Sequence, residues 1–232
     1  MQITELDSIT CDLHMHSKYS FDSFMSPNRI IYTAKIRDLS VISVTDHGNM
    51  DIYANEFSRE NRERILEKHG VFVIPGMEIE TNRGDIIGLF LDKEVSGNGF
   101  ESVVEQIREM DGIVVLPHPY HRDCDPADLL SHIDLIEVVN GRCKSVQNER
   151  AGELGDENDV PIIGGSDAHM YWEVGQIRTV LSNEASDSNY DKTALLLDAE
   201  REVSGSPLPY LLTHGISFVS GRLKNLVEGT RS

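Results

Sequence analysis

Two histidines separated by a single residue, His14 and His16, lie in the segment Asp12-Leu13-His14-Met15-His16. The apolar and alternating run around them is typical of the end of a β-strand, in which side chains at i and i+2 point to the same face. We therefore expect the two imidazoles to converge on one point, which suits a metal ion. Two unrelated surface histidines would explain this pair equally well if it stood alone.

Similar polar clusters follow other apolar, strand-like runs, each beside a Gly or a Pro. They are Thr45-Asp46-His47-Gly48, Gly76-Met77-Glu78, Leu116-Pro117-His118-Pro119 and Gly165-Ser166-Asp167-Ala168-His169. The clusters offer more ligands than the roughly four that one zinc ion takes. A site with two or three divalent ions is expected, because clustered carboxylates repel one another unless cations neutralise them. Mixed His and carboxylate ligands accept Zn, Mn or Fe with little discrimination.

Strand-like and helical segments alternate along the chain, which favours an α/β fold with parallel strands. Strands are predicted at residues 9–15, 39–44, 71–74, 85–91, 113–116, 135–139, 161–164 and 177–181. Helices are predicted at residues 27–36, 52–69, 100–110, 126–131, 146–154, 190–203 and 215–227. About seven such units without a GxGxxG motif favour a closed barrel, whose site lies at the C-terminal ends of the strands.

The balance of charges restricts the partners that the chain is expected to have. The net charge of −18 over 232 residues opposes long-range attraction to nucleic acid or to an anionic membrane. No apolar run approaches the ~18 residues of a membrane-spanning helix, and no secretory signal is visible, so a cytoplasmic location is expected. Cys11, Cys124 and Cys143 show no CxxC spacing, and a disulfide framework is not expected.

The motifs DLHMHS, TDHG, PGMEIET, LPHPY, IEVVNGR and GSDAH, in this order, resemble the PHP (polymerase and histidinol phosphatase) family of metal-dependent phosphoesterases. The resemblance spans roughly residues 10–180. It implies a distorted (β/α)7 TIM-like barrel with a metal site at the C-terminal ends of the strands. One PHP-type domain is expected over residues 1–232, with a C-terminal helical extension over about 190–232.

The resemblance also implies three metal positions and their ligands. The first metal would be held by His14, His16, Glu78 and Asp167. Glu78 would bridge to a second metal that also takes His118, and the third would use Asp22, His47 and His169. The family normally has another histidine near the start of the fourth strand, where this chain has Asp85; a ligand and a plain strand-start residue are both open for it. The residues expected to be catalytic are His14, His16, Glu78, Asp167 and His169.

Other polar residues near these ligands suggest supporting roles. Asp12 and Asp46 are interpreted as partners that orient an imidazole. A phosphate needs cationic contacts beyond the metals, so substrate contacts are expected from Asn140, Arg142, Arg122 and Lys18. For Asn140 a structural role fits equally well, and an exposed loop arginine without such a role is the commoner case.

The expected reaction is hydrolysis of a phosphate ester by water that the metals activate, since no nucleophile motif with its own base is visible. A small phosphomonoester such as a nucleotide or histidinol phosphate is the favoured substrate. A short-oligonucleotide exonuclease or phosphodiesterase is the enzymatic alternative, although stable binding to duplex nucleic acid is not expected. A non-catalytic metal-binding regulatory domain and a metal-dependent amidohydrolase on a similar barrel are less favoured hypotheses. The oligomeric state is left open.

Overall fold

The computed structural model describes residues 8–182 and 194–209. Its strands are β1 (Ser8–Asp12), β2 (Val41–Val44), β3 (Phe72–Ile79), β4 (Ile86–Leu89), β5 (Ile113–Leu116), β6 (Leu135–Asn140), β7 (Ile162–Gly165), β8 (Ile177–Ser182) and β9 (Arg201–Gly205). Its α-helices are α1 (Pro27–Ile36), α2 (Asp51–Asn55), α3 (Arg59–His69), α4 (Phe100–Glu109) and α5 (Ser145–Asn158). A 3₁₀ helix spans Pro126–His132, and a π-helical turn spans Ala194–Asp198.

The strands form one sheet in the order β7-β6-β5-β4-β3-β2-β1-β8-β9, and this sheet curls into a nearly closed barrel. At the seam, the Gly164 N–H donates to Thr179 Oγ1 at 2.9 Å, which joins β7 to β8. Beyond the end of β1, the Asp167 N–H donates to the His14 carbonyl at 2.8 Å, and the His16 N–H donates to the Ala168 carbonyl at 2.8 Å. The predicted TIM-like barrel of the α/β class is confirmed.

Apolar side chains fill the barrel and leave its polar residues to one rim. One buried cluster takes a member from each of the first eight strands: Ile9, Val41, Ile74, Ile87, Val115, Leu135, Ile163 and Leu181. Strands such as Ile113–Leu116, with the sequence IVVL, are buried at every position, as expected for strands covered on both faces. Two further clusters pack α4 and α5, and α1 and α2, against the outside of the sheet.

The expectation that all strands run parallel is wrong at three places. The pairings of β4 with β3 and β5, of β8 with β1, and of β9 with β8 are antiparallel. Parallel neighbours need a crossover of about a dozen residues or more, whereas only residues 80–85 connect β3 to β4. Gly84 makes this short reversal possible, because its φ of +90° lies in the region that disfavours other residues.

Three predicted helices also need correction. The helix predicted at residues 52–69 is interrupted between α2 and α3, and Ser58 caps the new start by accepting a hydrogen bond from the Asn61 N–H. The segment predicted as helical at 126–131 is 3₁₀. The helix predicted at 190–203 is wrong at its end, because Arg201–Gly205 pairs with β8 as a strand. The helix predicted at 215–227, and with it most of the predicted extension, lies outside the described residues.

Across residues 8–182 and 194–209, no helix has both the length and the apolar composition that crossing a bilayer would need.

Candidate metal centre

His14 and His16, just beyond the end of β1, are fully buried and direct their Nε2 atoms at the same two carboxylate oxygens, as the i and i+2 spacing predicts. Glu78 from the end of β3 and Asp167 from the loop after β7 meet them there. His16 Nε2 lies 3.3 Å from both Glu78 Oε2 and Asp167 Oδ1, and His14 Nε2 lies 3.4 and 3.7 Å from the same atoms. Ligand atoms placed ~2.0–2.2 Å from a tetrahedral ion lie about 3.3–3.6 Å apart. Three of these four distances fall in that range and the fourth is slightly longer, so the spacing is close to that of ligands around one ion.

Three of these facing atoms are buried and make no hydrogen bond. They are His14 Nε2, His16 Nε2 and Glu78 Oε2. A buried polar atom without a partner costs free energy, and three that point at one another need a shared partner. A cation between them would supply it, so the residues present fit a divalent metal ion.

Glu137 determines which nitrogen of His14 faces the cavity. Its Oε1 lies 2.9 Å from His14 Nδ1, and since a carboxylate only accepts, Nδ1 carries the proton and Nε2 offers its lone pair. The other oxygen of Glu137 accepts the backbone N–H of His118 at 2.9 Å and the side-chain amide of Asn140 at 2.9 Å. One buried carboxylate thus supports two candidate ligands.

Glu78 is placed to bridge two positions. Its Oε1 lies 3.0 Å from His118 Nε2, while its Oε2 faces His14 and His16 and lies 3.1 Å from His47 Nδ1. His118 and Asp167 both have positive φ, +29° and +50°. A non-glycine residue in this region costs roughly 1–3 kcal/mol, and such strain is concentrated at functional sites.

A third group brings Asp22, His47 and His169 together. Asp22 Oδ2 lies 2.7 Å from His169 Nε2 and 3.7 Å from His47 Nε2. His169 Nδ1 lies 2.8 Å from the Asp167 carbonyl, so it carries the proton and Nε2 faces Asp22. The backbone N–H of His169 donates to Glu173 Oε2 at 2.8 Å, which holds the loop in place.

The described ligand atoms fall into three close groups. Within 4.8 Å of one another lie His14-His16-Asp167, His14-Glu78-His118 and His16-His47-His169. Asp22 and Asp85 belong to none of these groups, although both line the same cavity of about 150 Å³, and Asp22 lies 2.7 Å from His169 Nε2. The structure therefore brings the predicted ligands to one rim and places Asp85 at its edge.

Charges inside the cavity strongly bias protonation. Burial opposes ionisation of Glu78 and Asp167, but the histidines around them hold the pKa of each carboxyl well below its usual range. Burial likewise opposes protonation of His47, yet Glu78 and Asp22 raise its pKa to about 9. For His16, burial together with His47 and His169 lowers the pKa to about 3. Without metal, protons on some imidazoles balance the carboxylates; a metal would replace them.

The predicted partner roles of Asp12 and Asp46 are revised. Asp12 was expected to orient an imidazole, but its two oxygens accept backbone N–H groups from Ser166 at 3.1 Å and Gly175 at 2.7 Å. Asp46 accepts the Ser17 N–H at 2.6 Å and also the Ser17 hydroxyl. Both carboxylates fix the backbone of loops that carry ligands.

Of the four predicted substrate contacts, two lie on the cavity. Arg142 and Asn140 line it. The amide nitrogen of Asn140 donates to Glu137 and Asp167, and its oxygen accepts the Arg142 N–H, so its hydrogen bonds serve the structure. Arg142 is 8% exposed, and its Nη1 lies 3.6 Å from Glu173 Oε1.

The other two predicted contacts are directed elsewhere. The guanidinium of Arg122 donates to the carbonyls of residues 83, 85, 117 and 119 at 2.9–3.1 Å, which uses its donors within the protein. Lys18 donates to Glu56 at 3.0 Å and does not belong to the described residues that line the cavity. A phosphate contact by Arg122 stays a prediction, and four of its five N–H groups serve to join two loops.

Three residues support candidate ligands although the sequence analysis did not predict that role: Glu137, Glu173 and Ser20. Ser20 Oγ lies 3.3 Å from His16 Nδ1 and accepts the His47 N–H at 3.0 Å. Glu137 could have been identified from the sequence pattern, because a charged residue interrupts the otherwise apolar strand LIEVVN. The residues of this strand are mostly buried in the structure. Glu173 and Ser20 lie in loops where no spacing rule applies.

Comparison with known proteins gives a consistent result. The family model described as PHP domain matches residues 12–109, and the one described as PHP-associated matches residues 146–199. The uncharacterized protein MJ0417 of Methanocaldococcus jannaschii is 32% identical over an alignment of 176 positions, which covers 71% of this chain and 67% of that protein.

Solved structures share the fold. A two-domain protein of Bacteroides vulgatus, containing a predicted PHP-like metal-dependent phosphoesterase, has a TM-score of 0.68 at 21% identity, over 92% of this chain and 70% of that one. Endonuclease Q, solved with a 27-mer duplex that has an abasic lesion at the active site, has a TM-score of 0.58 at 17% identity, over 86% of this chain and 60% of that one. At these identities the likeness establishes the architecture alone.

Proposed function

Because the chain belongs to the PHP family of metal-dependent phosphoesterases, we propose that it hydrolyses a small phosphomonoester at the candidate metal centre. The observation that carries the proposal is the buried, unpartnered set of His14 Nε2, His16 Nε2 and Glu78 Oε2, which converge at ligand spacing. Two or three divalent ions would be held by His14, His16, Asp22, His47, Glu78, His118, Asp167 and His169.

The ions, when bound, would lower the pKa of water and neutralise charge on the phosphate oxygens. The chain's own residues set the arrangement. Glu78 offers one oxygen to each of two neighbouring positions, and Glu137 holds His14 in the tautomer that can ligate. Among the described residues that line the cavity, Arg142 is the arginine that could contact a phosphate oxygen.

Water, rather than a side chain, is the proposed nucleophile. Cys143 is the thiol that lines the cavity, and burial, reinforced by Glu137 and Asp167, raises its pKa far above the usual range. A thiol that stays protonated is a poor nucleophile. Direct displacement of the alcohol by water therefore fits the site better than a covalent phosphoenzyme.

A small substrate, such as a nucleotide or histidinol phosphate, is favoured over an oligonucleotide. A bound strand needs several phosphate contacts from Lys and Arg, and the chain has 39 acidic against 21 basic residues. Of the arginines predicted to bind phosphate, Arg122 is engaged by backbone carbonyls. Arg142 therefore supports recognition of one phosphate rather than a series.

The test combines metal analysis with hydrolysis of 4-nitrophenyl phosphate, with and without chelator. We expect two to three ions per chain and release of phosphate that the chelator abolishes. His14→Ala should remove both metal and activity, while the control His69→Ala, at the end of α3, should retain both. Metal bound without hydrolysis across a broad ester panel would favour a regulatory metal-binding domain. Failure to bind metal would refute the site.

A further inference from the structure

A second cavity opens beside the metal centre. It has a volume of about 490 Å³ and is lined by residues 80–85 on one side and residues 120–124 on the other. Asp85 and His121 line both this side cavity and the metal cavity, so the two are adjacent. Cavities of roughly 300–1,000 Å³ are the size that holds a small organic ligand.

The walls of the side cavity are held in a fixed shape. Arg122, in one wall, joins it to the other, since its guanidinium donates to the carbonyls of Arg83 and Asp85 there. It also donates to the carbonyls of Pro117 and Pro119, in the segment that precedes its own wall. Within residues 80–85, the Thr81 hydroxyl donates to the Gly84 carbonyl at 2.6 Å. A rigid cavity needs little ordering when a ligand enters.

Carboxylates outnumber guanidinium groups in the lining of the side cavity. Glu80, Asp85 and Asp123 contribute three carboxylates, against the two guanidinium groups of Arg83 and Arg122. Arg83 pairs with Glu101 at 3.2 Å, and Arg122 keeps its positive charge but directs four N–H groups at backbone carbonyls. A ligand in this cavity would therefore meet more carboxylate acceptors than available guanidinium donors.

We propose that the side cavity receives the alcohol part of the phosphomonoester, and that it selects an alcohol with hydroxyl or amine donors and no second anionic group. This inference rests on the proposed function and names the substrate class for that site. With the phosphate at the metals, the alcohol part of the ester would extend past Asp85 into the side cavity. Donor groups on the alcohol would then meet the carboxylates of the lining. A second phosphate or a carboxylate would face like charge there.

Binding of phosphonates, which cannot be hydrolysed, tests the selection without turnover. The probes are 3-aminopropylphosphonate, 3-hydroxypropylphosphonate and 3-carboxypropylphosphonate, which share one chain length and differ in terminal charge. Calorimetry on the metal-loaded full chain should give dissociation constants for the amine and the alcohol roughly fivefold to tenfold lower than for the carboxylate.

A double variant tests whether the preference among the phosphonates arises in the side cavity. Glu80→Gln with Asp123→Asn should reduce this preference by about threefold or more, because both changed carboxylates line the side cavity. Glu67→Gln with Glu157→Gln removes the same charge from exposed positions on α3 and α5 and should leave the preference unchanged.

The outcomes separate the two proposals. Three results would overturn the side-cavity proposal, even if 4-nitrophenyl phosphate is hydrolysed. They are equal affinity for all three phosphonates, tighter binding of the carboxylate, and an equal change of the preference in both double variants. Absence of metal-dependent hydrolysis across the ester panel, including esters of amino and hydroxy alcohols, would overturn the proposed function instead, and the assignment of an alcohol-binding cavity would fall with it.

Discussion

Glu137 and His14, which lie 123 residues apart in the chain, are joined by a buried 2.9 Å hydrogen bond that aims His14 Nε2 at the candidate metal position. The bond couples the sixth strand to the segment that follows the first. It also makes the tautomer of a candidate ligand depend on a carboxylate that binds no metal itself.

Glu137→Gln should lower metal affinity by about 10- to 100-fold, because a neutral amide holds the imidazole less firmly and makes Nε2 less basic. Competition with a chelating zinc indicator would measure the change. Glu157→Gln, at an exposed position of α5, is the matched control and should bind metal like the parent chain. Equal affinity of the Glu137 variant would show that the bond has no role in ligation.

Gly165→Ala should disrupt the hydrogen bond between Glu137 and His14 by steric overlap. A Cβ at this position would overlap Glu137 Oε1 and would lie 2.7 Å from His14 Cβ. We expect a loss of about 1–3 kcal/mol in the free energy of unfolding, together with weaker metal binding. Gly152→Ala in α5 meets no atom within 4 Å and should instead stabilise by roughly 0.5–1 kcal/mol. Urea unfolding of both variants decides the point.

Metal affinity should continue to rise with pH beyond the pH range in which a histidine normally titrates. The neighbouring carboxylates raise the pKa of His47 to about 9, and those of His14 and His118 are also raised. Metal must displace these protons, so binding at pH 7.5 should release protons, and the release should diminish as the pH passes about 9. Calorimetry in buffers of different ionisation enthalpy counts the protons. Binding at pH 7.5 without proton release would contradict the prediction.

Arg122→Gln should destabilise the fold more than it changes the chemistry of the metal centre. The variant leaves carbonyls of residues 83, 85, 117 and 119 without their donor, which we expect to cost about 2–4 kcal/mol. Arg59→Gln, which breaks an exposed pair with Glu63, should cost less than about 1 kcal/mol. Equal midpoints of the two variants in urea would argue against the joining role of Arg122.

The barrel and the rim residues could be predicted because both follow from local periodicity. Apolar runs such as IVVL identify strands, and a histidine or carboxylate directly after a run has to lie at the C-terminal rim. The direction of β4 and the strand character of Arg201–Gly205 could not be predicted in this way, since both depend on partners chosen in three dimensions.

The supporting residues were harder to predict for a related reason. Asp12 and Arg122 have the right types and lie beside ligand motifs, but their partners are backbone groups of distant loops. Proximity in sequence identifies which residues are near a ligand, whereas the direction of a side chain is set by which backbone groups need a partner. Glu137 shows the converse, since its partner His14 lies far away in the chain.

The hydrogen bond from the Asp167 N–H to the His14 carbonyl has a consequence for biosynthesis. The first metal position needs residues from both ends of the barrel, so a nascent chain cannot form it until almost the whole barrel has left the ribosome. Contacts of such long sequence separation form late, because closing the intervening loop costs entropy. Assembly of this candidate position is therefore expected to follow closure of the barrel.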